Sequence, residues 1–241
     1  MEIQRKNQND KLTAFASIAK ADLIGGYYMK VETILFDLDG TLIDTNELII
    51  ASFTHTVEKY GDRPYSREEI IEFIGPPLVD SLSKVNPDKV DEMIKAYREH
   101  NYANHEKYVK AYPDVVETVK SLKDKGLKLA IVTTKIHHTA ELGLKIAGME
   151  GIFDVIIGLD DVENAKPHPE PVLSAIDQLK ANPMTTLMVG DNYHDIEAGQ
   201  NAGVQTAGVA WAIKGRETLE QYRPDYMLEK ITDLYQIIGA E

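Results

Sequence analysis

Thr33-Ile34-Leu35-Phe36-Asp37-Leu38-Asp39-Gly40-Thr41 decides how the rest of the 241-residue chain is read. A short, mostly apolar run ends abruptly at a carboxylate, the form of a parallel strand buried on both faces. Open α/β sheets bind ligands just beyond the carboxyl ends of their strands. The two carboxylates, separated by one leucine and followed by a glycine, are therefore predicted at a ligand-binding strand end. Asp39 is equally able to shape an Asp-Gly turn. Asp37 is harder to explain structurally, because burying a carboxylate after four such residues is costly unless a metal or hydrogen bonds compensate it.

Outward from this stretch, similar runs recur at Leu127–Val132, Val155–Ile157, Thr186–Val189 and Gln205–Ala210, with a weaker one at Tyr226–Leu228. Helical patterns at Asp114–Lys125, His138–Ala147, Pro169–Lys180 and His194–Ala202 separate them. Three of these stop at Gly126, Gly148 and Gly203, where a left-handed C-terminal cap is expected. Strands alternating with helices predict an α/β fold with a Rossmann-like parallel sheet covered on both faces.

One region breaks the alternation. Between Asn46 and Tyr108 the pattern is helical throughout, with turns at Gly61-Asp62-Arg63-Pro64, Gly75-Pro76-Pro77 and Asn86-Pro87. This predicts an all-helical cap over 46–108, inserted into a core made of 29–45 and 109–241. Residues 1–28 are read as an N-terminal extension or start-site segment, the alternative being a helix packed on the core.

Three further constellations sit where strands end. Asp191 is predicted at the end of the Thr186–Val189 strand and Asp195 in the first turn of the next helix, where a carboxylate also simply favours the positive terminus by ~0.3–1 kcal/mol. Thr133, Thr134 and Lys135 follow Ile131-Val132, and helix capping competes with ligand binding for the threonines. Lys166, in Ala165-Lys166-Pro167, taken alone is most simply a solvated surface lysine. Together the four elements offer carboxylates for a hard cation and a hydroxyl and ammonium for phosphate oxygens. His137, His138 and His194 lack metal-ligand spacing and are read as helix-start residues.

In order and spacing, DLDGT, the IVTT strand end, the lysine of AKP and GDNYHD resemble the four motifs of the haloacid dehalogenase superfamily. The resemblance runs from residue 29 onward and implies residue roles. Asp37 is the expected nucleophile and a Mg2+ ligand, and Asp39 the general acid/base that also offers its carbonyl to the metal. Thr133 and Lys166 would hold the phosphoryl group, with Thr134 contributing its backbone N–H. Asp191 would complete the metal shell, supported by Asp195. Many relatives carry asparagine where this chain has Thr134.

Longer stretches, including EFIGPPL, LDDVENAKP and GVAWAIKGRE, are similar to the bacterial pyrophosphatase family associated with HPr kinase/phosphorylase. This implies inorganic pyrophosphate as substrate and a functional link to HPr kinase/phosphorylase. Phosphoglycolate phosphatases, which share the core, supply the alternative of a small phosphate monoester; a sugar phosphomutase is more remote. The Gly75-Pro76-Pro77 loop is either a site-facing element of the cap or a helix breaker. Lys84, Lys89 and Arg98 are cap cations with no role assigned, and Trp211 is placed either at the cap junction or in the core.

The composition narrows the classes. A formal net charge of −13 argues against broad nucleic-acid or anionic-membrane binding. No apolar run approaches the ~20 residues of a membrane span. With no cysteine, disulfides and thiolate catalysis are excluded, which fits the cytoplasm. A non-catalytic module recognising a basic partner is the rival from another class, and it leaves the complete motif set as coincidence.

Overall fold

The computed structural model describes residues 30–239, so the segment 1–28 lies outside the described residues. In chain order the strands are β1 (Thr33–Phe36), β2 (Ile43–Asp44), β3 (Lys110–Ala111), β4 (Lys128–Val132), β5 (Val155–Ile157), β6 (Thr186–Gly190), β7 (Gln205–Val209) and β8 (Tyr226–Leu228). The helices are α1 (Asn46–Tyr60), α2 (Arg67–Ile71), α3 (Leu78–Ser83), α4 (Val90–Tyr108), α5 (Val115–Asp124), α6 (His137–Ile146), α7 (Glu170–Leu179), α8 (Tyr193–Ala202), α9 (Arg216–Glu220) and α10 (Leu234–Ile237).

The main sheet has the order β5-β4-β1-β6-β7-β8, and every neighbouring pair is parallel. Alternation along β1 explains its burial. Ile34 and Phe36 join Leu129, Ile131, Leu187 and Val189 in the core on one face, while Leu35 joins Ala130, Val132 and Met188 on the other. Each of these larger side chains (all but Ala130) contributes ~1.5–3 kcal/mol on removal from water. The chain leaves β1 for β4 and β5 on one side, then returns to β6, β7 and β8 on the other. The switch point therefore falls at β1, between β4 and β6.

Helices α1 to α4 form the cap, with a core of their own. Phe53 is its centre, its ring 5.6 Å from that of Phe73 and 4.8 Å from that of Tyr97. Ile50, Val57, Ile70, Ile74, Leu82, Val85 and Met93 pack around it. A capping box between Ser66 and Glu69 starts α2, satisfying backbone N–H groups that a helix start otherwise leaves free.

Gly126, Gly148 and Gly203 all have positive φ, as their positions after helical runs predict. The differences lie in short elements. Asp114, expected as the first residue of a helix, instead precedes α5 at φ 61°. Lys180 closes α7 in the left-handed conformation without a glycine. The antiparallel pair β2–β3, with Ile43 opposite Ala111 and Asp44 opposite Lys110, has no counterpart in the sequence reading. Two residues per strand are too few to show a period of two. This ribbon carries the chain into the cap and out of it.

Candidate active site

Asp37, Thr133 and Asp191 directly follow β1, β4 and β6, the three adjacent strands at the switch point. The Asp37 N–H donates to the Val189 carbonyl at 2.8 Å, so the sheet itself fixes the carboxylate's position. Gly40, at φ +83°, allows the chain to turn under Asp191; a Cβ there would stand 2.2 Å from Asp191 Oδ2.

Lys166 ties the site together. Its ammonium donates to Asp37 Oδ1 at 2.7 Å, to Asp195 Oδ1 at 2.6 Å and to the Val132 carbonyl at 2.7 Å. With its side chain 3% exposed, it is the opposite of a solvated surface lysine. Asp195 also accepts the Asn192 N–H at 3.0 Å, within a capping box that starts α8. Its carboxylate thus braces both the helix and the lysine.

Oxygen atoms of Asp37, Asp191 and Asp195 lie within 4.8 Å of one another, all three residues buried. Burial raises the Asp37 carboxyl to about 7; Lys166 works against this, while Asp195 and Asp39 add to it. Burial, then the Asp37 and Asp195 charges, raise Asp191 well above the ordinary carboxylate range. Burial opposes the charge of Lys166, but Asp195 and Asp37 outweigh it and its pKa is raised. Three carboxylates facing one ammonium leave negative charge that an all-oxygen, hard divalent cation is suited to compensate. The donor set fits Mg2+.

Asp39 lies outside this triad. Its carboxylate accepts from Lys135 Nζ at 2.9 Å, and both side chains are largely buried. The Asp39 loop is tied to the ribbon through a bridge to Ile43 and through the Gly40 N–H, which donates to the Ile43 carbonyl at 2.9 Å. Thr133 gives its N–H to the Ile157 carbonyl and accepts the Lys135 N–H at 3.1 Å, leaving its hydroxyl proton available. Thr134 turns towards the cap, its hydroxyl 3.5 Å from the Gly75 carbonyl.

Cap and core meet closely at this loop. Asn192 Nδ2 donates to the Ile74 carbonyl at 3.4 Å. Gly75 has φ +111°, and a Cβ on it would stand 2.3 Å from Asn192 Nδ2. The structure therefore favours the site-facing reading of Gly75-Pro76-Pro77. Between cap and core lies a cavity of about 560 Å³ whose floor includes Asp37, Asp39, Lys166 and Asp191. Ile49, Phe53, Phe73, Leu78 and Tyr97 are among its cap-side walls. Arg98 and His194 line it too, whereas Lys84 and Lys89 do not. Trp211 donates to the Thr41 carbonyl at 3.2 Å and packs near Tyr112, beside the strands that lead to the cap.

The family model of haloacid dehalogenase-like hydrolases matches residues 34–209. The chain belongs to that family. This hydrolase is 57% identical over 212 residues to pyrophosphatase PpaX of Anoxybacillus flavithermus, spanning 88% of this chain and 99% of the relative. It is 56% identical to pyrophosphatase PpaX of Bacillus pumilus, over 88% of this chain and 98% of the relative. Among solved structures, a haloacid dehalogenase-like hydrolase from Streptococcus pneumoniae superposes with a TM-score of 0.77 at 27% identity, covering 86% of this chain and 97% of the other. Among the described residues no helix is long and apolar enough to cross a membrane.

Two residues of this hydrolase's site carry no assigned role in the sequence reading. Lys135 is visible there only as a cation after a strand; its partner Asp39 is 96 positions away. Asn192 reads as part of a motif, but its contact with the cap spans 118 positions.

Proposed function

We propose that the chain is a phosphohydrolase that forms an aspartyl-phosphate on Asp37, with inorganic pyrophosphate as its substrate. The class is carried by one observation, the buried Lys166 ammonium shared by Asp37 and Asp195 opposite Asp191. The pyrophosphate assignment is supported by the relatives named pyrophosphatase. The link to HPr kinase/phosphorylase rests on the family resemblance alone. In this reading 29–45 and 109–241 are the catalytic core and 46–108 the cap.

Mg2+ would be held by Asp37, Asp191 and the Asp39 carbonyl, with Asp195 in support. When bound it supplies the positive charge that lets an anionic phosphate approach a carboxylate. Asp37 attacks phosphorus in line, forming the carboxylate–phosphorus bond as the bond to the leaving oxygen breaks. Lys166, already beside Asp37, and the Thr133 hydroxyl stabilise the transferring oxygens, as does the Thr134 N–H. Asp39 donates a proton to the leaving oxygen, then accepts one from the water that hydrolyses the phosphoenzyme. The apolar cap walls exclude bulk water during both steps.

The alternative, a small organic monoester such as phosphoglycolate, has its own support. A cavity of about 560 Å³ with aromatic and aliphatic walls has more room than pyrophosphate needs. Phosphate release with Mg2+ from pyrophosphate, phosphoglycolate and sugar phosphates, beside an Asp37→Asn control, separates the readings. A tenfold lead in kcat/KM, roughly 1.4 kcal/mol of transition-state preference, identifies the substrate. An equally active Asp37→Asn enzyme would remove the nucleophile assignment.

A further inference from the structure

We propose that Arg98, on the cap helix α4, sets specificity for the leaving part of the substrate by binding an anionic group carried there. This rests on the phosphohydrolase reading and does not depend on pyrophosphate being the substrate.

Ile94, Tyr97, Arg98, Asn101 and Tyr102 recur at steps of three and four along α4, and all of them line the catalytic cavity. Residues so spaced share one face of a helix. That face belongs to the cap-side wall of the cavity whose floor holds Asp37 and Lys166. Among the described residues, Arg98 is the one lysine or arginine that the cap contributes to this lining. Much of the cap's remaining wall is apolar, so a charge placed there has a narrow choice of partners.

The core's own cations in the cavity are already engaged. Lys166 is held by Asp37 and Asp195, and Lys135 by Asp39. Arg98 differs from both: it is exposed, and among the described residues no carboxylate lies within ion-pair reach of it. Its neighbour Glu99 pairs instead with Lys95, at 3.9 Å. In a protein with a net charge of −13, Arg63, Arg67 and Arg216 each hold a glutamate, and Arg98 does not. A guanidinium stays charged at any working pH and presents a flat fork of donors that matches phosphate or carboxylate at two points. Lys166 and the metal meet the charge of the transferring phosphoryl group. A second negative group on the same substrate finds its free cation in Arg98.

The chemistry that fits is a leaving group bearing a phosphate or a carboxylate. The test compares pyrophosphate and phosphoglycolate with two substrates whose leaving part is uncharged, the methyl ester of phosphoglycolate and 4-nitrophenyl phosphate. The enzymes are wild type, Arg98→Met, Arg98→Lys and Lys89→Met, each with a melting curve. Lys89 is an exposed cap cation outside the cavity lining, so its variant reads the general effect of losing one positive charge. Expected in Arg98→Met is a loss of about tenfold or more in kcat/KM for the preferred anionic substrate, mainly through KM. The uncharged pair stays within about twofold, Arg98→Lys recovers part of the loss, and Lys89→Met behaves as wild type. Equal losses on charged and uncharged substrates, or a Lys89→Met enzyme that matches Arg98→Met, would overturn the role of Arg98. If wild type prefers pyrophosphate and Arg98→Met keeps that preference in full, the role falls and the pyrophosphate reading stands. If wild type prefers phosphoglycolate and Arg98→Met removes that preference, the pyrophosphate reading falls and the role of Arg98 stands.

Discussion

Lys135 Nζ stands 2.9 Å from Asp39 Oδ1, joining the loop after β4 to the loop after β1 in a largely buried ion pair. The pair fixes where the Asp39 carboxylate points before substrate arrives. Because Asp39 is also bridged to the ribbon at Ile43, its orientation is coupled to the strands that carry the cap.

Replacing Lys135 with Met removes that orientation while keeping much of the side chain's bulk. A charge-assisted hydrogen bond is worth ~1.5–3 kcal/mol, so kcat should fall by about tenfold to a hundredfold. Steady-state kinetics beside a melting curve checks this. A large loss of stability with unchanged kcat in the folded fraction would assign Lys135 to structure alone.

Asp39→Asn separates the two halves of the reaction. With pyrophosphate the leaving group is phosphate, which departs with less protonation than an alkoxide. The variant should release a burst of phosphate close to one per site and then nearly stop. Phosphoenzyme formation as slow as overall turnover would count against the assignment.

Gly75→Ala places a methyl against Asn192 and strains a φ of +111°. The expected cost is about 1–3 kcal/mol, borne mainly by docking of the cap. kcat/KM should fall by tenfold or more, with the cap's aromatic cluster still folded. Adding Asn192→Ala relieves the steric part, so the double variant should lose less than the sum of the two single changes.

His105 is buried at the end of α4, and among the described residues neither ring nitrogen has a partner. Burial, then the Lys135 charge, holds its pKa down at about 4, with Asp39 opposing. The native state therefore keeps it neutral, while the unfolded chain takes up a proton below about 6.5. The stability it contributes is complete above that value and is lost as pH falls towards 4. His105→Leu should melt with a flatter dependence between pH 7 and 4 than wild type; parallel curves would show that His105 gains a proton partner in the native state.

Chelator-treated enzyme should show the opposite sign from Asp37. Its raised pKa of about 7 means the native state holds a proton that the unfolded chain gives up near pH 4. Stability from this group is lost as pH rises from about 4 to 7, and Asp37→Asn should remove that component. Mg2+ should raise Tm more at pH 8 than at pH 6, since it competes with the proton for the same oxygens. A Tm gain independent of pH, or retained in Asp191→Asn, would place the ion elsewhere.

The sheet was legible because runs such as Ile34-Leu35-Phe36 and Leu129–Val132 are local and continuous, and Gly126, Gly148 and Gly203 end the helical runs between them. Asp37, Thr133 and Asp191 could be placed at strand ends for the same reason. The hidden features depend on pairs distant in sequence or on elements too short for periodicity. Lys166 is legible as a site residue through its motif, but its hydrogen bond to Asp37, 129 positions away, appears only in the fold. Ile43-Asp44 and Lys110-Ala111 become strands solely by meeting each other.

That meeting has a consequence for how the molecule diversifies. The two points where the cap is grafted onto the core lie opposite one another, about 5 Å apart, the spacing of paired strands. The ribbon holds the two ends of the cap segment side by side whatever its length, while Leu48 at the start of α1 and Val109 just after α4 pack into the main core and tie the cap to it. A change in the outer cap, away from these anchors and from the Asn192 contact, can therefore alter leaving-group recognition while the strand ends stay in place.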